Sequence, residues 1–264
     1  MPVDARRLIR KMRGGAQAHL IEASDGHFYV VKFLNNPQHR RVLINEWIAA
    51  TFLRYLGLAS PEVAMVRISE EFVAQFPDAC LQLGRQRQTP AVGWHFGSRY
   101  PGDPARTTVY DFLPDALLAR VENLAEFPGV LAFDKWMSNA DARQAIFFRA
   151  RLGFVAQMVD NGYVFEGPHW RLTDSPLQGM YFRPLVYAHL RGLADFEPWL
   201  ERIRYFPEEV VDQAVKQIPP VWLEGERDEF ERLLYRLLER RKRVPDLIEA
   251  CRTGRVDPFP GWQK

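Results

Sequence analysis

The sequence predicts an α+β protein in which antiparallel strands and one long helix come first and a mostly helical part follows. Short apolar segments bounded by turn residues fill the chain before residue 70, whereas apolar residues at helical spacing dominate after residue 185. A strand pair with a tight turn is also predicted between these regions, over residues 145–159. We therefore expect one part over residues 1–100 and a second over residues 101–264.

Composition narrows the class of protein. Of the 264 residues, 47% are hydrophobic and 13% aromatic, which is ample for a packed core. The net charge of +2 is nearly balanced, so a nucleic acid is not expected as a direct ligand.

Cellular location is predicted from what the sequence lacks. No apolar run approaches the roughly 18 residues that a membrane span needs, and the first residues lack the apolar segment of a secretory signal. Cys80 and Cys251 are far apart and neither has a neighbouring cysteine, which argues against a disulfide framework or a structural zinc site. We expect a cytoplasmic protein without a membrane span.

The first strands flank a glycine pair. Residues 5–12 predict a strand or a short helix, and residues 19–23 and 28–33 predict strands. Between the first two of these segments lie Gly14, Gly15, Ala16 and Gln17. Glycines let backbone N–H groups approach anionic oxygens closely, as a phosphate-covering turn requires, although a plain hairpin turn has the same composition.

Lys32 is an unusual residue because it lies inside an apolar run, where a lysine needs a partner if it is buried. A helix predicted to open at Asn36-Pro37 carries Glu46, which can serve as that partner. The alternative is an edge-strand lysine that extends to water, with Glu46 a solvated helix residue.

Two acidic residues flank the predicted hairpin. Asp141 precedes its first strand and Asp160 follows its second, so antiparallel pairing brings both carboxylates to one end. With Asn139 and Gln144 beside them, these groups can take a proton from a hydroxyl and hold Mg²⁺. A single Asp-x-Gly, as at residues 160–162, is more often only a turn.

Taken together, these motifs resemble the HipA-like kinases, with phosphatidylinositol kinases as more distant relatives. The matching motifs are Asn139-Ala140-Asp141, Asp160-Asn161-Gly162, and the glycine turn followed by Lys32 and Glu46. The resemblance implies a two-lobed protein-kinase-like fold, ATP and Mg²⁺ as cofactors, and transfer of the γ-phosphate to a hydroxyl, with a protein Ser or Thr as the expected acceptor.

The resemblance also implies residue roles. Asp141 acts on the acceptor hydroxyl in the loop opened by Asn139, Asp160 holds Mg²⁺, and Lys32 holds phosphates with Glu46 as its anchor. The backbone of the glycine turn covers the phosphates. Residues 84–108 are predicted to form an irregular linker in which His95 is solvated. The strand that follows resembles a kinase hinge, whose backbone is expected to bind the edge of adenine. The hinge residues are Tyr110, Asp111 and Phe112.

The sequence departs from the family at the catalytic loop. Ile146 stands five residues after Asp141, where the family has Asn, and we expect Gln144 to replace that Asn in a shorter loop. Asp134 and Asn139 also have the five-residue spacing, but Asp134 lies in a helical apolar run. Gly14 stands where some members carry a regulatory serine, so that switch is not expected here.

Two other functions remain open beside the active protein kinase. The departures from the family favour the first, a pseudokinase, that is, a nucleotide-binding interaction module without turnover. A small-molecule or lipid kinase on the same scaffold is the third possibility.

In the helical part, the basic run at residues 236–243 predicts a solvated helix end rather than a nucleic-acid site.

Overall fold

A computed structural model describes residues 2–253 and 257–262. It contains ten strands and eight α-helices, joined by turns and short 3₁₀ segments. The strands are β1 (Pro2–Lys11), β2 (His19–Ala23), β3 (Phe28–Lys32), β4 (Val63–Ile68), β5 (Leu81–Leu83), β6 (Gln86–Gln88), β7 (Gly93–Arg99), β8 (Val109–Tyr110), β9 (Gln144–Arg149) and β10 (Phe154–Val159). The helices are α1 (Arg41–Tyr55), α2 (Glu70–Gln75), α3 (Asp115–Leu118), α4 (Phe127–Trp136), α5 (Trp199–Arg204), α6 (Glu208–Lys216), α7 (Arg227–Arg240) and α8 (Val244–Ala250).

The first part of the chain forms a closed barrel with the strand order β1-β2-β3-β7-β4. For residues 5–12 the sequence allows a strand or a short helix, and in the structure residues 5–11 belong to strand β1. This strand pairs antiparallel with β2 and parallel with β4, so it obtains hydrogen bonds on both sides. Alternate apolar residues of the barrel strands point inward and form a separate core with Phe72 and Leu81.

Helix α1 starts later than the sequence predicts. The predicted start at Asn36-Pro37 is wrong, because the helix begins at Arg41. The Asn36 side chain accepts a hydrogen bond from the Gln38 N–H at 2.9 Å, and the Asn36 carbonyl accepts one from the His39 N–H. These local bonds favour a turn over a helix. Eleven of the fifteen residues of α1 are buried, so the helix packs on several sides.

The predicted irregular linker over residues 84–108 is also wrong in part, because it contains β6 and β7. Strand β7 lies between β3 and β4 in the barrel. A Cβ on Gly97 would lie 2.6 Å from Cγ2 of Val66, so glycine is what lets the two strands approach. The Gly- and Arg-rich composition that suggested a loop therefore includes a glycine required by packing.

The second part of the chain combines a small sheet with helices. Strands β8, β9 and β10 form an antiparallel sheet of order β10-β9-β8, and the predicted hairpin is present. Helix α4 is buried along its whole length and leads directly into the loop before β9. The large core of this part includes Trp136, whose indole N–H donates to the Leu237 carbonyl of α7 at 2.9 Å. The same core extends onto α1.

His95 is buried, which corrects its predicted place in a solvated loop. Its Nδ1 accepts a hydrogen bond from the Leu34 N–H at 2.7 Å, and its Nε2 lies 2.9 Å from the Ala91 carbonyl. The ring is therefore neutral with the proton on Nε2. Burial lowers the pKa of His95 from 6.5 to about 4, although the bond to the Ala91 carbonyl opposes this change.

We predict that stability falls in mild acid because of His95. Below pH 6.5 the unfolded chain takes up a proton at this residue that the folded chain refuses until about pH 4. The share of His95 in this loss is about 2 kcal/mol between roughly neutral pH and pH 5. Urea unfolding at a series of pH values measures it.

The variant His95→Gln should show a correspondingly weaker pH dependence over this range, and His189→Gln, at an exposed position, should behave as the wild type. A His95→Gln protein with the wild-type pH profile would contradict the prediction.

Candidate active site

A cleft of about 660 Å³ lies between the barrel, the hairpin β9–β10 and the segment that connects them. Its lining includes many of the residues singled out from the sequence: Gly14, Gly15, Ala16, Lys32, Glu46, Asp111, Asp141, Gln144 and Asp160. These positions span most of the chain up to residue 160, and the fold brings them to one cavity.

Lys32 joins the two parts of the protein at the centre of this cleft. It lies on β3, and its ammonium forms an ion pair with Glu46 of α1 and a second with Asp160 after β10, at 2.7 Å from Oδ1. The Lys32 and Glu46 side chains are almost fully buried, whereas that of Asp160 is 39% exposed. Lys32 thus has the buried partner that its apolar surroundings require, and one more on the cleft side.

Charge pairing decides the ionisation of this group. Burial alone would lower the pKa of Lys32, but the carboxylates of Glu46 and Asp160 outweigh burial and raise it. The Lys32 ammonium in turn holds the pKa of Asp160 below its usual value against the effect of burial, with help from the Arg143 charge and the Gln144 amide. Lys32 is therefore a cation and Asp160 an anion at neutral pH.

The hairpin brings its flanking polar residues to one end, as antiparallel pairing requires. Val159 pairs with Gln144, so Asp160 emerges beside the start of β9. Asp160 has a left-handed backbone conformation with φ of 57°, which turns the chain sharply after the strand. Asp141 is exposed at the rim, and its Oδ1 accepts a hydrogen bond from the Ala142 N–H at 2.8 Å.

Asn139 lies behind the exposed end of the loop that carries Asp141, buried and outside the cleft lining. Its Oδ1 accepts a hydrogen bond from the Asp141 N–H at 3.2 Å, and its amide nitrogen donates to Asp134 at 3.0 Å. The structure therefore gives Asn139 a position from which it orients Asp141 without touching a molecule in the cleft.

Asp134 and Arg143 form a buried ion pair beneath this loop. Both side chains are fully buried, and Arg143 Nε lies 2.8 Å from Asp134 Oδ2. Arg143 also donates to the Val159 carbonyl and to Oδ1 of Asn161 at 2.8 Å. Burial alone would lower the pKa of Arg143, but Asp134 raises it. This one guanidinium links α4, the loop before β9 and the segment after β10.

The glycine turn reaches the cleft, but Gln17 does not. Gly14, Gly15 and Ala16 line the cavity, whereas the Gln17 side chain bonds to Lys11 at 2.8 Å and to the backbone of Gln82 at 2.7 Å. The Gln17 N–H is used within the turn, where it donates to the Gly14 carbonyl. The predicted phosphate contact of Gln17 is therefore corrected: Gln17 fixes the turn against the β5–β6 hairpin.

The predicted hinge residues divide between two faces. Side chains alternate along an extended chain, so Val109 and Asp111 face the cleft while Tyr110 and Phe112 face away. Tyr110 packs edge-on against Phe154 outside the cavity, and Phe112 is 61% exposed beneath the Arg183 guanidinium. Of the three hinge residues, only Asp111 lines the cleft. The predicted contact with adenine is made by the backbone of this strand, and it stays a prediction.

Sequence reasoning missed the residues that support the site. Asp134 and Lys135 are consecutive charges inside an apolar run, the same signal that pointed to Lys32, but nothing local names Arg143 as the partner. The basic run at residues 236–243 is only partly solvated. Arg240 is buried and donates to Oδ1 of Asp174 at 2.6 Å, so it anchors the loop that contains Asp174.

Comparison with known families identifies the chain. The profile of the HipA-like kinases matches residues 6–147, which include the glycine turn, Lys32, Glu46, Asp141 and Gln144. This protein belongs to the HipA-like kinase family. It is accordingly a kinase-type phosphotransferase, and no curated protein matches the sequence.

Solved structures extend the likeness to the whole fold. A hydra Fam20 structure with sugar covers 95% of this chain and 86% of its own at 14% identity, with a TM-score of 0.59. The Golgi casein kinase with Mn/ADP bound covers 94% and 73% at 11% identity and a TM-score of 0.56. The Helicobacter pylori proinflammatory kinase CtkA covers 96% and 97% at 13% identity and a TM-score of 0.53. The protein-kinase-like fold predicted from the motifs is confirmed.

We predict that Asp134→Ala is strongly destabilising. The substitution leaves the Arg143 guanidinium buried without its carboxylate, a change that costs about 3–5 kcal/mol. Equilibrium urea unfolding measures the loss.

The control is Glu231→Ala, which removes the partner of the exposed Arg227 on α7 and should change stability by less than about 1 kcal/mol. Equal effects of the two substitutions would show that the Asp134–Arg143 pair contributes no more than a surface pair.

Proposed function

We propose that this chain is an ATP-dependent phosphotransferase that moves the γ-phosphate to a hydroxyl, with a protein Ser or Thr as the acceptor. The observation that carries the proposal is the placement of Lys32, held between Glu46 and Asp160, in a cleft whose rim bears Asp141. A fixed cation, a partly exposed carboxylate and a second, exposed carboxylate at the rim are the groups that phosphoryl transfer requires.

The cleft can receive a nucleotide along its length. Apolar side chains, Val30, Phe96, Ile146 and Met158 among them, line it beside the polar groups and suit the faces of a purine base. The glycine turn lies over the same cavity as Lys32, so its backbone and the ammonium can both contact phosphates. This arrangement supports ATP as the phosphate donor.

The donor set fits a divalent cation held together with a nucleotide. Within residues 2–253 and 257–262, no group of three or more His, Cys, Asp or Glu side chains could hold a metal by itself. Asp160 and Gln144 together offer hard oxygen ligands in the cleft, and Mg²⁺ is commonly bound by one or two such groups plus phosphate oxygens. When bound there, the cation neutralises charge on the phosphates.

Asp141 is proposed to accept the proton of the acceptor hydroxyl. The hydroxyl oxygen forms a bond to the γ-phosphorus as the bond to the β-γ bridging oxygen breaks, and the proton passes to the Asp141 carboxylate. One oxygen of Asp141 is held by the Ala142 N–H, which fixes the carboxylate in the loop. Because Asp141 is exposed, a side chain of another protein can reach it.

A second function is favoured by one observation. Ile146 lines the cleft where the resemblance implies an Asn that would offer a metal ligand, which favours a module that binds a nucleotide without turnover. A small molecule or a lipid remains the other possible class of acceptor.

The cytoplasmic location also stays a prediction. In the described part of the chain, no helix is both long and apolar enough to cross a bilayer.

Incubation with γ-labelled ATP, Mg²⁺ and a cell lysate tests the proposal. Label on protein Ser or Thr is the expected result. Label on a small molecule or lipid would show that the acceptor is not a protein. Nucleotide binding without any transfer would favour the binding module. The folded variant Asp160→Ala, which removes the proposed metal ligand, serves as the inactive control.

We predict that Asp141→Asn separates chemistry from nucleotide binding. Affinity for ATP should stay within a few-fold of the wild type, because Asp141 faces the acceptor. The transfer rate should fall by about 10²- to 10⁴-fold, the usual contribution of a general base. Nucleotide titration and single-turnover transfer measure the two quantities, and full transfer by Asp141→Asn would show that this loop is not catalytic.

Gln144→Ala should act on the metal instead. We expect a higher Mg²⁺ concentration for half-maximal rate, by about tenfold or more, because an oxygen ligand is lost. Gln86→Ala, at an exposed position of the β5–β6 hairpin, is the matched control and should leave the Mg²⁺ requirement unchanged. An unaltered Mg²⁺ dependence of Gln144→Ala would assign Gln144 an ordinary strand position.

A further inference from the structure

The segment that follows Asp160 has an unusual backbone. Asp160, Phe165, Glu166 and Trp170 are not glycine, yet their φ angles are 57°, 59°, 56° and 51°. Such left-handed residues are strained and persist only where the surrounding structure holds them. The carboxylate that pairs with Lys32 therefore begins a stretch of chain that needs outside support.

One side chain of α1 supplies much of this support. Asn45 is fully buried, and its amide nitrogen lies 2.8, 3.1 and 3.0 Å from the carbonyl oxygens of Gly162, Val164 and Gly167. Its Oδ1 accepts a hydrogen bond from the Trp170 indole N–H at 2.9 Å. Two amide hydrogens are thus shared among three carbonyls, so the donor capacity of Asn45 is fully used.

The neighbouring turn of α1 adds a second attachment. Arg41 lies four residues before Asn45, and its Nη1 donates to the Pro168 carbonyl at 3.0 Å. Its guanidinium stacks over the Trp170 ring at 4.0 Å and pairs with Glu226 at the start of α7. Arg41 thus holds the far end of the segment and Asn45 its middle.

Asn45 is adjacent to Glu46, and this adjacency gives the contacts a role in the cleft. Glu46 fixes Lys32 from one side, and Asp160 receives Lys32 from the other. A Cβ on Gly162 would lie 2.5 Å from Cγ1 of Val42, so the segment is pressed against α1 at that point. Helix α1 therefore sets the positions of both carboxylates relative to the Lys32 ammonium.

We propose that Asn45 is a positioning residue that holds Asp160 in its working place by fixing residues 161–170 to the helix that carries Glu46. The inference rests on the proposed function, since it gives Asp160 the metal-binding role. The attachment is built into the fold, so the carboxylate is in place before a nucleotide arrives.

Hydrogen exchange in the nucleotide-free protein tests the attachment directly. The N–H groups of residues 164–167 donate to backbone carbonyls, so their exchange reports opening of the segment. In the wild type we expect these amides to exchange as slowly as those of residues 44–49 in α1. Exchange of residues 164–167 more than about tenfold faster than that of the helix would overturn the proposal.

Two substitutions remove the donor. Asn45→Ala deletes the amide, and Asn45→Asp keeps the acceptor for Trp170 but cannot donate to the three carbonyls. In both we expect exchange at residues 164–167 to rise by at least about tenfold. Thr51→Ala is the matched control on α1, because the Thr51 hydroxyl bonds only within the helix, to the Trp47 carbonyl at 2.9 Å.

The kinetic consequence separates positioning from general stability. The Asn45 variants should need about 10- to 100-fold more Mg²⁺ for half-maximal rate, as expected when the support of a metal ligand is lost, with the ATP KM much less affected. Faster exchange with an unchanged Mg²⁺ requirement would reduce Asn45 to a structural residue and overturn the proposal.

The two proposals fail in different ways. A wild-type protein that transfers no phosphate but keeps residues 164–167 protected contradicts the function and not the attachment. Unchanged exchange in both folded variants contradicts the attachment and not the function. Should neither variant fold, the wild-type comparison of residues 164–167 with residues 44–49 decides.

Discussion

The rest of the structure depends on one buried cation. Lys32 is carried by the barrel, and its two partners come from a helix and from the end of a hairpin, so three elements must meet for its charge to be tolerated. Because an unpaired buried ammonium is costly, the relative positions of the three elements are constrained. Any displacement of α1 or of the hairpin relative to the barrel leaves a charge unpaired, which couples the integrity of the fold to the assembly of the cleft.

A second buried pair applies the same principle one layer deeper. Arg143 and Asp134 lie outside the cleft, but the guanidinium also contacts Asn161 and the Val159 carbonyl on either side of Asp160. The loop with Asp141 is attached to the same pair through Asn139. The carboxylates that line the cleft are thus supported by charges buried behind them, which is how a rigid site can be built on irregular backbone.

Much of this arrangement can be predicted from the sequence, and the features that cannot be predicted have a common cause. The hairpin, the Lys32–Glu46 pair and the shared end of Asp141 and Asp160 follow from local apolar patterns and from strand pairing, which short segments encode. The faces of Tyr110 and Phe112, the burial of His95 and the partners of Asn45 depend on which distant segment packs nearby. Asn45 looks like any polar helix residue until the segment after Asp160 is seen beside it, and β7 looks like a loop until its neighbours close the barrel.

Closure of the barrel has a consequence for how the protein behaves among other chains. A sheet that ends in a free strand offers unpaired N–H and C=O groups to any extended peptide, and such edges promote aggregation. Here β1 pairs with β2 on one side and β4 on the other, so the sheet next to the glycine turn returns on itself. The barrel that carries the glycine turn and Lys32 therefore borders the cleft without offering a free strand edge to other chains.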